Sequence, residues 1–395
     1  MTEKIYDKDP HILTFDATVL SCEETNTAGQ YAVVLDRTAF FPEEGGQGSD
    51  SGTLAGQPVL HVSIDKENTL THILPRPLSV GSTVSGTVDG KQRFDYMQQH
   101  TGEHILSGLV HKHFGYNNVG FHLGADATTL DFDGVLTPEE MQHMETLANE
   151  AVAADLPVLV SFPSKDELAA LDYRSKIELT GAVRIVEIPG VDICACCAPH
   201  VDRTGQIGMI KVVDLQSHRG GVRVTILCGN RALLDYRRKQ DTVSAVSALL
   251  SAKPELIGEA VSRLKEESLS RQERINFLQA KLLTMRLAAL PSPDTAQHAI
   301  LFEETMDTKA VRDAVNTLSA SYPGYSAIFT GTDADGYNFI LGSGTLDCNI
   351  AAKALRETFQ AKCGGSKQMI QGSVRAEAGQ LEALLLSLID STPAV

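Results

Sequence analysis

Asp95-Tyr96-Met97-Gln98-Gln99-His100-Thr101-Gly102-Glu103-His104-Ile105-Leu106 carries the decisive signal of this chain. Asp95 reads as the N-cap of a helix, and Gly115 as the left-handed residue that ends it. Met97, Ile105, Leu106, Leu109 and Val110 give the helix a partly apolar face. His100 and His104 stand four residues apart, so their side chains leave one face. Two imidazoles so placed suit one Zn2+, at about 2.0–2.1 Å from each nitrogen. Taken singly, a pair of this spacing is more often surface or packing histidine. His111 and His113, near the helix end, are read that way and given no role. A metalloprotease is disfavoured, because Glu103 precedes the second histidine instead of following the first.

A second half-site lies downstream, in Cys194-Ala195-Cys196-Cys197-Ala198-Pro199-His200. Cys196 and His200 repeat the three-residue gap of the histidine pair. Cys194 and Cys197 also form a Cys-x-x-Cys, so the segment alone leaves the choice of cysteine open. A redox-active pair competes, but no thioredoxin-like βαβ pattern surrounds it. Seven cysteines, three of them crowded together, suit metal or thiol chemistry better than a disulfide framework. Two histidines from a helix plus cysteine and histidine from a loop satisfy four-coordinate zinc.

Working outward, residues 11–90 are short β-branched runs separated by Gly, Pro, Asn and Asp, which predicts a small β-barrel over 1–90. Within it Phe40–Gly52 (FFPEEGGQGSDSG) is glycine-rich enough to make a turn or to let backbone N–H groups approach a ligand. A second helix is expected over Pro138–Ala154, with Thr137 as N-cap, and the strand-like runs around it predict an α+β core over 91–240. A helical arm follows over 241–292. In it Ile257, Val261, Leu264, Ile275, Leu278, Leu282, Met285 and Ala289 form a heptad-like series broken at Ser268 and Arg271. Residues 293–395 read as a C-terminal α/β domain.

The 395 residues carry 34 Lys+Arg against 50 Asp+Glu, a net charge of −16. That balance argues against a general nucleic-acid binder but leaves room for local basic stretches. Two exist: Lys211–Lys239, with seven cations against Asp214 and Asp235, and Lys353–Arg375, with five against Glu357. Their plain reading is solvated surface. No apolar run is long enough to span a membrane, and the first residues lack a signal-peptide core, so a cytoplasmic protein is expected.

HTGEHILSGLV resembles the His-x-x-x-His helix of the alanyl-tRNA synthetase editing domain and of its free-standing relatives, the AlaX-type editing proteins. CCAPHVDRTGQIGMIKV is similar to that family's CGGTHV…TG-x-IG segment, which implies Cys196 and His200 as ligands and leaves Cys194 and Cys197 outside the pattern. FFPEEGGQGSDSG resembles the family's FYPEGGGQ-x-x-D-x-G motif, and GGSKQMIQGSV the glycine-rich signature of the DHH-associated domain. The likeness covers nearly the whole chain, as the long AlaX form. Departures are Glu44 at a motif glycine, Cys197-Ala198-Pro199 in place of Gly-Gly-Thr, and Ser366, Ile370 and Ser373 in place of Gly, Ala and Gly.

The resemblance implies a zinc-dependent deacylase that hydrolyses mischarged tRNA(Ala), chiefly Ser-tRNA(Ala) and secondarily Gly-tRNA(Ala). It implies one Zn2+ per chain on His100, His104, Cys196 and His200. Gly45, Gly46 and Gln47 are expected to hold the terminal adenosine and the ester, with Gln47 also catalytic. Thr128 or Thr129 is expected to face the serine hydroxyl, Thr128 as a substrate contact and Thr129 as a catalytic candidate, since alternation along a strand points only one inward. Two rivals remain at this level: a non-catalytic zinc-stabilised tRNA-binding module, and a zinc hydrolase of small esters or amides. Expected partners are mischarged tRNA(Ala), no membrane, and a second copy of the chain if the arm or the C-terminal domain dimerises.

Overall fold

The computed structural model describes residues 2–175 and 183–390. The chain divides into two compact units, Met1–Ala245 and Val246–Val395.

In the first unit the β-rich segment forms a seven-stranded antiparallel sheet. Its order is Gln57–Pro58, Gly52–Leu54, Thr83–Val88, Thr14–Glu24, Tyr31–Leu35, Leu70–Leu74, His61–Ile64. Thr14–Glu24 turns the corner: Thr14–Thr18 pair with Thr83–Val88, and from Val19 on, across a bulge between Val19 and Ser21, the strand pairs with Tyr31–Leu35. The sheet curls around Val19, Val33, Leu35, Phe40, Leu54 and Leu70. Among the described residues it is a curled half-barrel where the sequence predicts a small β-barrel. One edge is a two-residue strand containing Pro58, which has no N–H to extend the ladder.

The histidine helix spans Gly90–Phe114 and starts earlier than the sequence suggests. Asp89, directly after a strand, is the N-cap, its carboxylate accepting from the Lys91 and Gln92 N–H groups. Asp95 instead accepts from Arg231 Nε at 2.9–3.0 Å. Gly115 ends the helix in the left-handed region, as read from the sequence. The helix is buried on nearly all sides, its polar residues included. A helix so enclosed shows no clean apolar stripe, which is why amphipathicity was a poor guide to it. A four-stranded antiparallel sheet packs beside it in the order Asn118–Leu123, Thr128–Phe132, Gly221–Cys228, Ile210–His218, together with the helix Pro138–Ala153. Thr137 caps that helix in a capping box with Glu140, as expected. A three-stranded sheet, Leu159–Ser161, Ile185–Ile188, Asp192–Ala195, delivers the second half-site.

One ion pair locks the half-barrel to the helix. Arg93 and Asp50 are both fully buried; Arg93 Nε donates to both Asp50 oxygens at 3.1 Å, and Nη1 and Nη2 donate to the Pro10 and Ala39 carbonyls. Asp50 also accepts from the Phe41 N–H at 2.6 Å.

In the second unit a five-stranded sheet runs Ala299–Glu303, Ser326–Thr332, Gly336–Gly342, Met369–Val374, Lys362–Gly365, with only the first pair parallel. Helix Thr308–Ser321 covers one face, and helices Cys348–Phe359 and Ala378–Asp390 the other. The long helix Ile257–Ala288 joins this core through Leu283, with Leu287 and Leu290 beyond it. These are not members of the heptad-like series: Val261, Leu264, Ile275, Leu278, Leu282 and Met285 are 45–64% exposed. Among the described residues no helix is long and apolar enough to cross a membrane.

Candidate metal centre

The two half-sites meet. His100 and His104 come from the Gly90–Phe114 helix, and strand Asp192–Ala195 leads into the loop bearing Cys196 and His200. One candidate ligand atom from each of the four lies within 4.8 Å of the others, close enough to hold one metal ion. Cys196 Sγ is 3.5 Å from His100 Nε2 and 3.3 Å from His200 Nε2. The three imidazole rings stand 4.6–5.5 Å apart, centre to centre.

Every imidazole in the group has its far nitrogen occupied. His100 Nδ1 donates to Gln47 Oε1 at 2.8 Å, and His104 Nδ1 to Asp192 Oδ2 at 2.9 Å. Thr101 Oγ1 donates its own proton to the Met97 carbonyl at 2.7 Å, so at 3.1 Å from His200 Nδ1 it acts as the acceptor. With Nδ1 engaged behind all three rings, Nε2 is the nitrogen left for a metal, which would displace any proton on it. Three such imidazole nitrogens with a sulfur ligand fit Zn2+.

Electrostatics single out one cysteine of the three. Burial raises the Cys196 thiol, but His100 and His200 beside it, with hydrogen bonds from His100 and His104, draw it well below the ordinary range. Cys194 is pushed up to about 11 by burial, and Cys197 is raised further, by burial and then by the Cys196 charge. The thiolate is thus favoured at Cys196 and disfavoured on either side. Burial holds His200 down at about 3, a neutral ligand. For His104 burial works in the same direction, but Cys194, Asp192 and Cys196 reverse it and raise the ring. Asp192 is itself gripped by Arg174, Nε to Oδ1 at 2.7 Å and Nη2 to Oδ2 at 2.8 Å. His104, Asp192 and Cys194 form a second, overlapping group.

The glycine-rich motif makes a tight turn. Glu44 and Gln47 exchange two backbone hydrogen bonds of 3.1 Å around Gly45 at φ 63° and Gly46 at φ 86°. A two-residue hairpin turn with both φ positive favours residues such as this glycine pair. A Cβ on Gly46 would lie 2.4 Å from the Phe121 carbonyl oxygen, whereas one on Gly45 meets only Cys197 Sγ at 3.8 Å. The turn seats Gln47 in the interior, behind His100. Thr128 points inward, and its Oγ1 has no hydrogen-bond partner among the described residues. Thr129 alternates to the other face, opposite His122 and Thr225.

A cavity of about 320 Å³ opens onto the cluster, with Tyr6, Glu44, Gly45, His100, His104 and Cys196 in its wall. Gln47, Thr128 and Thr129 do not line it. Sequence reading missed Asp192, Arg174, Tyr6 and Arg184. Only Asp192 carried a faint signal, as a carboxylate two residues before the cysteine cluster; such groups commonly back a ligating histidine.

Residues 183–224, which contain Cys196 and His200, match the family described as Threonyl and Alanyl tRNA synthetase second additional domain. An Alanyl-tRNA editing protein Aarsd1 from Danio rerio is 27% identical over 400 residues, covering 96% of both chains. The protein of that name from Bos taurus is 30% identical over 304 residues, 73% of this chain and 68% of its own. An Alanine--tRNA ligase of Ignicoccus hospitalis is 27% identical over 334 residues, 82% of this chain but 36% of the ligase, so the chain spans about a third of that enzyme. With a His/Cys cluster that could hold a metal ion and likenesses running nearly the length of the chain, the protein belongs to the family of AlaX-like alanyl-tRNA editing proteins.

Proposed function

We propose that the protein hydrolyses the ester of mischarged tRNA(Ala), chiefly Ser-tRNA(Ala) and secondarily Gly-tRNA(Ala), with one Zn2+ held by His100, His104, Cys196 and His200. The observation that carries this reading is the cavity of about 320 Å³ that reaches three of those ligands. A purely structural zinc site is normally closed by its four protein ligands, whereas a catalytic one stays accessible. When bound, zinc supplies a Lewis acid beside the ester. Gln47, Asp192 and Thr101 keep the histidines in one tautomer and orientation. Gly45 and Gly46 shape the turn beside the ester, and Thr128 and Thr129 are carried by the adjoining sheet. Selectivity against alanine follows if the pocket pairs the serine hydroxyl, since alanine would leave that polar group unmatched. The basic stretch Lys353–Arg375 gives the C-terminal unit a reason to meet RNA phosphates.

The presence of four side-chain ligands favours a second reading, a zinc-stabilised tRNA-binding module without catalysis. One experiment separates the two. Ser-, Gly- and Ala-tRNA(Ala) are incubated with the protein, with and without chelator, alongside His104→Ala and Cys196→Ala. The proposal expects release of serine that stops with chelator, Ala-tRNA(Ala) largely spared, and sharply lower zinc in both variants. Full zinc content with no deacylation would favour the binding module. Equal rates on serine and alanine would indicate a broad esterase.

A further inference from the structure

The cavity over the metal ligands has a wall that the sequence motifs do not supply, the short helix Ile5–Lys8. Tyr6 in that helix is 2% exposed, its ring set edge-on against Phe41 at 5.4 Å. Its hydroxyl is buried and has no hydrogen-bond partner among the described residues. Across the same cavity stands Arg184, 8% exposed. Arg184 Nη1 donates to the Cys196 and Ala198 carbonyls, both at 2.9 Å, while its Nε has no partner among the described residues. Folded proteins seldom leave such groups unmatched, and each case calls for an explanation. Here the two residues that carry them line one cavity, together with His100, His104 and Cys196. A ligand that completes both is the economical account.

Glu44 and Asp7 also line the cavity, with Lys4 beside Asp7. The substrate proposed above presents three polar features at its aminoacyl end. They are an α-ammonium, an ester carbonyl oxygen and, in serine alone, a neutral hydroxyl. The cation matches the two carboxylates, and the carbonyl oxygen matches the unused N–H of Arg184. The hydroxyl needs a partner that is neutral and both donor and acceptor, which a phenol is. Burial raises the Tyr6 phenol, so it stays protonated. At about 320 Å³ the cavity is at the small end of ligand pockets, suited to an amino acid and not to a nucleoside with it.

We propose that Tyr6 reads the serine hydroxyl, which makes the N-terminal helix Ile5–Lys8 the specificity wall of an aminoacyl pocket. The inference rests on the deacylase reading but differs from the sequence expectation for Thr128 or Thr129. Thr128 also has an unmatched hydroxyl, yet it lies outside the cavity that holds the ligands.

The test is Tyr6→Phe in the full-length zinc-loaded protein, which removes one oxygen. Three quantities are compared with the parent: kcat/KM on Ser-, Gly- and Ala-tRNA(Ala); affinity for non-hydrolysable amide-linked seryl- and alanyl-adenosine; and zinc content with unfolding midpoint. Loss of one hydrogen bond predicts about a tenfold or greater fall in kcat/KM for serine and in seryl-analogue affinity. Gly- and Ala-tRNA(Ala) should change by less than about twofold, since neither can use that bond. Zinc and the unfolding midpoint should hold, because the hydroxyl removed makes no internal bond. An unchanged serine-to-alanine ratio overturns the inference. So does an equal loss on all three substrates, which would make Tyr6 structural, or a collapse of the ratio in Thr128→Val but not in Tyr6→Phe. If the parent deacylates nothing yet prefers the seryl analogue through Tyr6, the deacylase reading fails alone. If it binds neither analogue, both fail.

Discussion

His104 and Asp192, 88 residues apart in sequence, meet through a hydrogen bond of 2.9 Å from Nδ1 to Oδ2. The carboxylate is simultaneously held by Arg174, so the imidazole is oriented by a charge that is itself fixed. Asp192→Asn keeps the shape and removes the charge. Outer partners of this kind are worth about 10–100-fold in metal affinity. Zinc affinity, measured by competition with a chromogenic chelator, should fall by that order. Unchanged affinity would mean that His104 needs no such support.

The two turn glycines should respond differently to the same change. Gly46→Ala places a methyl 2.4 Å from the Phe121 carbonyl, and backbone cannot retreat cheaply. Gly45→Ala has only left-handed strain to bear, since its Cβ has room. A loss of roughly 1–2 kcal/mol is expected at Gly45 and clearly more at Gly46. Urea unfolding of the two variants checks the order. A reversed order would mean that the turn is free to move away from the Phe121 strand.

Acid should destabilise the half-barrel through His72. Its ring is buried, with Nδ1 donating to the Val33 carbonyl at 3.2 Å and Nε2 accepting from Thr38 Oγ1 at 2.9 Å, and burial holds it down at about 4 from 6.5. Above pH 6.5 the ring is neutral in both folded and unfolded chains, and this contribution to stability is whole. As pH falls from 6.5 towards 4 the unfolded chain takes up the proton and the folded one does not, so stability is lost across that window. The full loss is roughly 3 kcal/mol. Zinc-free parent and His72→Gln, unfolded in urea at several pH values, should differ in slope between those limits. Parallel curves would assign the acid sensitivity to other groups.

A chain ending at Ala245 should keep its zinc and bind tRNA more weakly, with a shallower dependence on salt. A cut at Pro291, by the end of the arm expected over 241–292, would strand Leu283, Leu287 and Leu290, since they belong to the C-terminal core. Affinity at two salt concentrations, with solution mass, decides the matter. Unchanged affinity and slope together with loss of a dimer would give the C-terminal unit a role in assembly.

The four clustered side chains, His100, His104, Cys196 and His200, were legible in the sequence because each pair is local, two residues four apart. The turn at Gly45 and Gly46 was legible because few residues tolerate positive φ, although the buried seat that it gives Gln47 behind His100 was not. Asp192 and Tyr6 escaped because they act across long separations and leave no periodic trace. The start of the histidine helix was misplaced because two aspartates competed for the cap, and the one claimed by Arg231 looked as good on paper as Asp89. The arm misled for another reason: a three/four spacing records which residues share a face, and here that face is exposed while Leu283 packs.

The buried Arg93–Asp50 pair bears on how such a protein is inherited. Its two members lie on either side of the junction between half-barrel and histidine helix, and neither has solvent to fall back on. A chimera joined between residues 50 and 93 would import one member without the other unless both parents carry the pair. A lone charge left inside costs about 3–5 kcal/mol, a large share of the stability of most domains. Recombination there would be purged, so the half-barrel and its helix should descend through relatives as one indivisible cassette, even where the flanking segments have been exchanged.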